Sequence, residues 1–228
     1  IRAGCIRECW LFFQALGKGS SAEQVRRDLA VGMILGHYAY STRMALWKIF
    51  RTRYLNITDP WVQSELIAAS QHGPESPELV SLLYLYFALR DKLAFEFATD
   101  VVWEKWRAHD LAIGSEDCGR FLDRLSQANE SLPKVTAESK GKLIRNTVST
   151  LQDFGLVTGT KHRVISRPAI VPRTAFHLVR LLAGEGLSGK EIADAKDWQL
   201  FLWDRNDVSR MLAKLAQEKW IRYEGSGR

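Results

Sequence analysis

The chain is poor in residues that staple, span or break a fold. Its 228 residues include three cysteines, an odd number that argues against a disulfide scaffold and for a reducing, cytoplasmic setting. Prolines and glycines are neither numerous nor periodic enough for a collagen-like or low-complexity chain. The longest apolar run, Leu79 to Leu89 with only Ser81 interrupting, is about half of what a bilayer-spanning helix needs. No secretory leader with a cleavage site is recognisable. Secreted, fibrous and integral-membrane classes are therefore excluded as expectations. With 46% apolar and 25% charged residues, the composition is that of an ordinary folded protein.

Catalytic and metal-binding patterns are scarce as well. The histidines (37, 72, 109, 162 and 177) never pair at ligand spacing on one helix. Cys5 and Cys9 lie four apart, without a Cys/His pair at zinc-site spacing. Gly184-Glu-Gly-Leu-Ser-Gly189-Lys190-Glu191 matches a phosphate loop except that Glu replaces the magnesium-binding Ser or Thr, and it follows a helix instead of a strand. Gly17-Lys18-Gly19-Ser20 fails similarly. Glu138-Ser-Lys140 resembles a nuclease's Glu-x-Lys, yet it opens a helix and has no strand-borne acidic partner. The expectation is a protein without enzymatic activity, cofactor or metal.

What the chain has is charge in blocks. Overall it carries net +6. By stretches, residues 1–60 are at +5, 61–133 at −6, 134–183 at +7 and 184–228 at zero. Two basic blocks flanking an acidic one point to a polyanionic partner.

Periodicity and punctuation predict a mainly α protein: a helical bundle with helix-turn-helix or winged-helix-like units and one or two short β-hairpins. Helices are expected over 3–16, from a Ser20 or Ser21 cap to Val31, and from a Ser41 or Thr42 cap to Leu55. Asp59-Pro60 opens one to 70, Ser76-Pro77 one to Arg90, and another covers 91–107. Ser115 is expected to cap a helix to Gln127. After Pro133 comes a helix over 137–153 ending at Phe154-Gly155, then a hairpin over 156–165 with a basic tip. Further helices are expected over 173–183, from a Ser188/Glu191 capping box to Ala195, and from Asp204 to Gln217, with a strand at Trp220–Glu224. The segment 173–224 thus repeats the order of a winged unit. The domain reading is 1–133, helical with an acidic middle, and 134–228, winged-helix-like.

Candidate functional residues follow from this placement. On the 137–153 helix, Leu143, Ile144, Val148 and Leu151 form an apolar face, with Phe154 just beyond, while Lys142, Arg145, Asn146, Ser149 and Gln152 line the other side. The second helix of a helix-turn-helix lies in the major groove, and cations, amides and hydroxyls there meet phosphates and base edges. Lys161, His162 and Arg163 at the hairpin tip extend this set, with Lys140 and Arg167 flanking it. The N-terminal block offers Arg26 and Arg27 on one short helix and Arg43, Lys48, Arg51 and Arg53 on the next. Tyr84, Tyr86, Phe87, Phe95, Phe97, Trp103 and Trp106 read as core, because a stacking platform in an acidic stretch would repel phosphate.

Several stretches stand out in order: Ser21–Asp28, Tyr40-Ser-Thr-Arg43, Leu82–Trp103 with Arg90-Asp-Lys-Leu-Ala-Phe-Glu-Phe97, and Ser139-Lys-Gly-Lys-Leu143 with Leu151-Gln-Asp-Phe-Gly-Leu-Val157. Asp197-Trp-Gln-Leu-Phe201, Asp207-Val and Trp220-Ile-Arg-Tyr-Glu-Gly225 follow. Together they resemble the BrxA family, the small A component of bacteriophage-exclusion (BREX) systems, a likeness that spans nearly the whole chain without an invariant catalytic motif. The resemblance implies a mostly helical, non-enzymatic protein that binds double-stranded DNA beside a methyltransferase, an ATPase and a phosphatase-like partner. The alternative is an assembly or scaffold protein whose acidic middle docks those components without touching DNA.

Overall fold

Side-chain caps and backbone breakers set most helix ends in the computed structural model of the chain, which describes residues 4–128 and 136–223. The fold is mainly α, with a two-stranded antiparallel hairpin. It divides into two compact units between Asp91 and Lys92. The division expected at 133/134 lies outside the described residues, and the helices on either side of it pack on each other.

In the first unit, α1 (Ile6–Gly17) buries Cys9, Phe12, Phe13 and Leu16. Ser21 caps α2 (Ala22–Val31), its Oγ accepting from the Gln24 N–H at 3.1 Å. Gly32 ends α2 at φ 84°, where a Cβ would be strained. α3 (Tyr40–Phe50) begins before the expected Ser41 or Thr42 cap, with Ala39 at the cap position and no capping side chain. The Arg43 N–H makes the first helical bond, to the Ala39 carbonyl at 3.0 Å, and its guanidinium takes the Tyr38 carbonyl.

A π-helical turn over Arg51–Leu55 extends α3. α4 (Pro60–Ser70) starts at its proline, without a capping bond from Asp59. Ser76 caps α5 (Pro77–Arg90), whose residues 81–88 are all buried, so this helix forms the centre of its unit. Phe12 and Phe13 each meet Phe50 edge-on at 4.9 Å.

In the second unit, α6 (Lys92–Phe97), a π-helical turn over Ala98–Val102 and α7 (Trp103–Arg107) follow one another without a break, as one helix was expected to. Their Phe97 and Trp103, like Tyr84, Tyr86 and Phe87 of the first unit, are buried, in keeping with a core role. α8 (Ser115–Ala128) takes Ser115 as its first residue. The cap falls to Gly114, whose N–H donates to Asp117 Oδ2 at 2.8 Å.

Thr136 caps α9 (Ala137–Asp153), and Gly155 at φ 79° turns the chain out of it. β1 (Val157–Thr158) and β2 (Val164–Ile165) pair antiparallel, Val157 opposite Ile165. Residues 111–113 add to the other edge of β2. The Ile113 N–H donates to Arg163 O at 3.1 Å and the Ile165 N–H to Leu111 O at 2.8 Å.

α10 (Pro172–Gly184), α11 (Gly189–Ala193), a 3-10 turn over Lys196–Phe201 and α12 (Arg205–Gln217) complete the unit. α11 and α12 start at the capping boxes Ser188/Glu191 and Asp204/Asp207. The strand expected at Trp220–Glu224 is not formed over its described part, and Glu224 and Gly225 lie outside the described residues. Packing accounts for this. Trp220 turns back against Phe176, ring centroids 5.4 Å apart, under the Arg173 guanidinium. The second winged unit therefore has helices and no hairpin among the described residues.

Candidate nucleic-acid interface

α9 carries the best-formed candidate surface. Its inner face buries Val148 and Leu151, with Phe154 following, and α8 packs against it. Burial of that stripe turns Lys142 and Arg145 fully outward and leaves Asn146 and Ser149 half-exposed. Beside it stands the β1–β2 hairpin, with Lys161 and His162 exposed at the tip. One hydrogen bond connects the two elements: Gln152 Nε2 donates to Gly159 O at 2.7 Å. Gln152, read from sequence as part of the polar face, is thus engaged by the hairpin.

Of three further cations, one is half-buried and two are engaged in ion pairs within the protein. Arg163 is half-buried, with its Nε enclosed and lacking a hydrogen-bond partner. Burial and the charge of Asp117 push the neighbouring Cys118 thiol up to about 12, and the charge of Arg163 works against them. Lys140 Nζ reaches Asp123 Oδ1 on α8 at 2.6 Å. Arg167 forks onto Asp207, at 2.7 and 3.3 Å, and also donates to Leu202 O at 3.1 Å. Burial pushes the Asp207 carboxyl up, but the Arg167 hydrogen bond, the Asp204 N–H and the charges of Arg167 and Arg210 outweigh it and hold the group below its ordinary value.

The N-terminal set separates in the same way. Lys48 and Arg51 are exposed. Arg26 is exposed but paired with Glu23 at 2.9 Å, and Arg27 donates to Gln24 Oε1 at 2.9 Å. Arg43 is engaged by three backbone carbonyls, of Leu29, Ala30 and Tyr38. Arg53 corrects the sequence reading outright. It is 8% exposed, its guanidinium carbon 4.4 Å from the Phe87 ring centroid, and has no surface to offer a phosphate. It follows buried Phe50 by three residues and buried Leu46 by seven, the spacing of that helix's inward side, so its charge and not its position suggested the surface.

Two features went unread in the sequence. Leu111–Ile113 is too short to signal a strand, yet it bridges to the free edge of β2 at Ala112–Val164. Val31, Met33 and Tyr40 stand 73%, 78% and 60% exposed. The signal for this was available: from Leu29 to Thr42 the sequence has no Asp, Glu, Lys or Arg.

Among the described residues no three His, Cys, Asp or Glu side chains gather as a metal site. A cleft of about 380 Å³ in the second unit is lined by Asp100, Glu104 and Asp117 and, equally, by Lys105, Arg120 and Arg124, which leaves it without a field of one sign. Glu191 of the phosphate-loop-like stretch accepts from the Ser188 N–H at 3.0 Å, a helix-capping role. No described helix is long and apolar enough to cross a membrane.

Among curated proteins nothing matches the chain. A crystal structure of an uncharacterized protein from Magnetospirillum magneticum shares its fold, with TM-score 0.67 over 89% of this chain and 95% of that one, at 14% identity. The family model for BrxA matches residues 3–181. The chain therefore belongs to the BrxA family and is a component of a bacteriophage-exclusion (BREX) defence system.

Proposed function

We propose that this BrxA-family chain is a non-enzymatic accessory protein that binds double-stranded DNA, led by phosphate contacts. It would act in the cytoplasm beside the methyltransferase, ATPase and phosphatase-like components. The observation that carries the reading is the pairing of α9 with a basic-tipped hairpin. The bridged segment 111–113, α8, α9, β1 and β2 follow in the order of a winged helix-turn-helix unit, with 111–113 and β1 on opposite edges of β2. In such a unit the second helix enters the major groove. Here it offers Lys142, Arg145, Asn146 and Ser149, with Lys161 and His162 within reach of the flanking backbone.

The test is fluorescence anisotropy of a random duplex of about 30 base pairs over a salt series. Replacing Lys142, Arg145 and Lys161 by Ala should weaken binding evenly across sequences and flatten the salt slope by about 0.9 per lost phosphate contact. If the triple variant binds like the parent, the site is misassigned.

A second reading, a scaffold that docks other defence components, is favoured by the exposed Val31, Met33 and Tyr40, since exposed apolar and aromatic groups are typical of interface centres. Met33→Asp should abolish a pull-down of a purified component and leave duplex binding intact. An unchanged pull-down removes that reading.

A further inference from the structure

We infer that Gln152 is a positioning residue that presets the hairpin tip against α9, so that Lys161 and His162 meet DNA in register with Lys142 and Arg145. The inference rests on the DNA-binding reading and assigns Gln152 a role inside it. Residues 158–162 at the tip are all exposed, and the ladder ends at the Thr158–Val164 pair. The root of the hairpin is fixed separately, by the Ser166 Oγ donating to Gly155 O at 2.7 Å and by the 111–113 segment on β2. The tip receives its tie to α9 from the Gln152 amide, which donates to Gly159 O at 2.7 Å.

The accepting residue is constrained in turn. Gly159 sits at φ 81°, and a Cβ there would lie 2.1 Å from the His162 carbonyl oxygen, so the backbone that presents this carbonyl requires glycine. Gln152 follows Arg145 and Ser149 at spacings of four and three, on the stripe that faces outward. Its amide therefore joins the groove-facing side of the helix to the tip. Ordering the tip before DNA arrives removes an entropy loss from the binding step.

A double-mutant cycle separates positioning from direct contact. Gln152→Ala should weaken duplex binding about three- to tenfold, the range of a single hydrogen bond's net worth. The salt slope should fall with it, as tip contacts become intermittent. Introduced into a Lys161→Ala/His162→Ala background, the same change should have no further effect on affinity. In the free protein, backbone 15N heteronuclear NOE values of residues 159–162 should drop on Gln152→Ala, with circular dichroism unchanged.

Equal weakening in both backgrounds would mean that Gln152 touches DNA itself and would overturn the inference. An unchanged affinity, or an unchanged NOE at the tip, would overturn it too, with the DNA reading left standing. Failure of the parent chain to bind duplex at any salt would overturn both.

Discussion

Arg43 is the sharpest case of a cation whose job differs from what its place in a basic helix suggests, and its removal has a calculable consequence. The guanidinium donates to the carbonyls of Leu29 and Ala30, at the end of α2, and to that of Tyr38, just before α3. A hydrogen bond to a charged group contributes about 1.5–3 kcal/mol, and a cation at a helix C-terminus adds about 0.3–1 kcal/mol. The terms do not add fully, because Arg43 is half-exposed and water can reach carbonyls it releases. A net loss of about 2–4 kcal/mol for Arg43→Met follows. With a urea m-value of about 2 kcal/mol/M, the unfolding transition of the first unit should move down by about 1–2 M. Arg43→Lys should lose most of the same stability, since an ammonium lacks the planar fork. Urea titration followed by circular dichroism reads the shift, and amide hydrogen exchange places it on α2 and the segment before α3. A midpoint within about 0.3 M of the parent, or a fully stable Arg43→Lys, would refute the structural assignment.

Arg53→Met replaces a buried guanidinium, one of whose Nη atoms lacks a hydrogen-bond partner, by an apolar side chain of similar length. Thermal unfolding should show stability equal to the parent or up to about 2 kcal/mol higher, and duplex affinity should not change; a fivefold loss of affinity in the folded variant would return Arg53 to the binding surface. Asp207→Asn removes the charge and one of the two acceptor oxygens that Arg167 forks onto. Because the folded-state pKa of Asp207 is depressed, its contribution is fully present above the ordinary carboxylate value near 4 and is lost as pH falls through the folded value. The variant's Tm should therefore lie below the parent's at pH 7 and converge with it in acid, and a constant difference down to pH 2 would sink that account.

Many helix ends were legible from near neighbours in sequence, although Ser41, Thr42 and Asp59 do not cap as their residue types suggest. Ser21, Ser76 and Asp204 cap their helices through bonds three residues long, and Gly32 and Gly155 leave theirs at positive φ. The hairpin was legible too, because Gly159 marks a tip between β-prone runs. What was hidden depends on partners far along the chain. Arg167 and Asp207 are 40 residues apart, and nothing local marks them as a pair. Trp220 packs on Phe176, so a stretch with strand texture turns back as a loop. Arg53 lies over the ring of Phe87, a partner on another helix that nothing local announces. Leu111–Ile113 pairs only because β2 lies beside it.

The same distinction limits what the formal charge says about binding. Sequence offers fifteen polar and cationic candidates, and long-range partners withdraw the cations Arg43, Arg53, Lys140 and Arg167 from among them. In the second unit Lys142, Arg145 and Lys161 remain as exposed permanent charges, with His162 beside them. Three phosphate contacts correspond to a salt slope of about −2.7. If Arg27, Lys48 and Arg51 of the first unit engage the same duplex, the slope doubles to about −5.4. A net charge of +6 cannot separate these cases, since it counts engaged and exposed groups alike. The slope does, because only cations that displace counterions enter it. A measured value near −2.7 assigns binding to α9 and its hairpin alone, and one near −5.4 brings the N-terminal basic helices into the same complex. A slope near zero would mean that neither basic block meets phosphate, and would move the weight of the argument to Val31, Met33 and Tyr40.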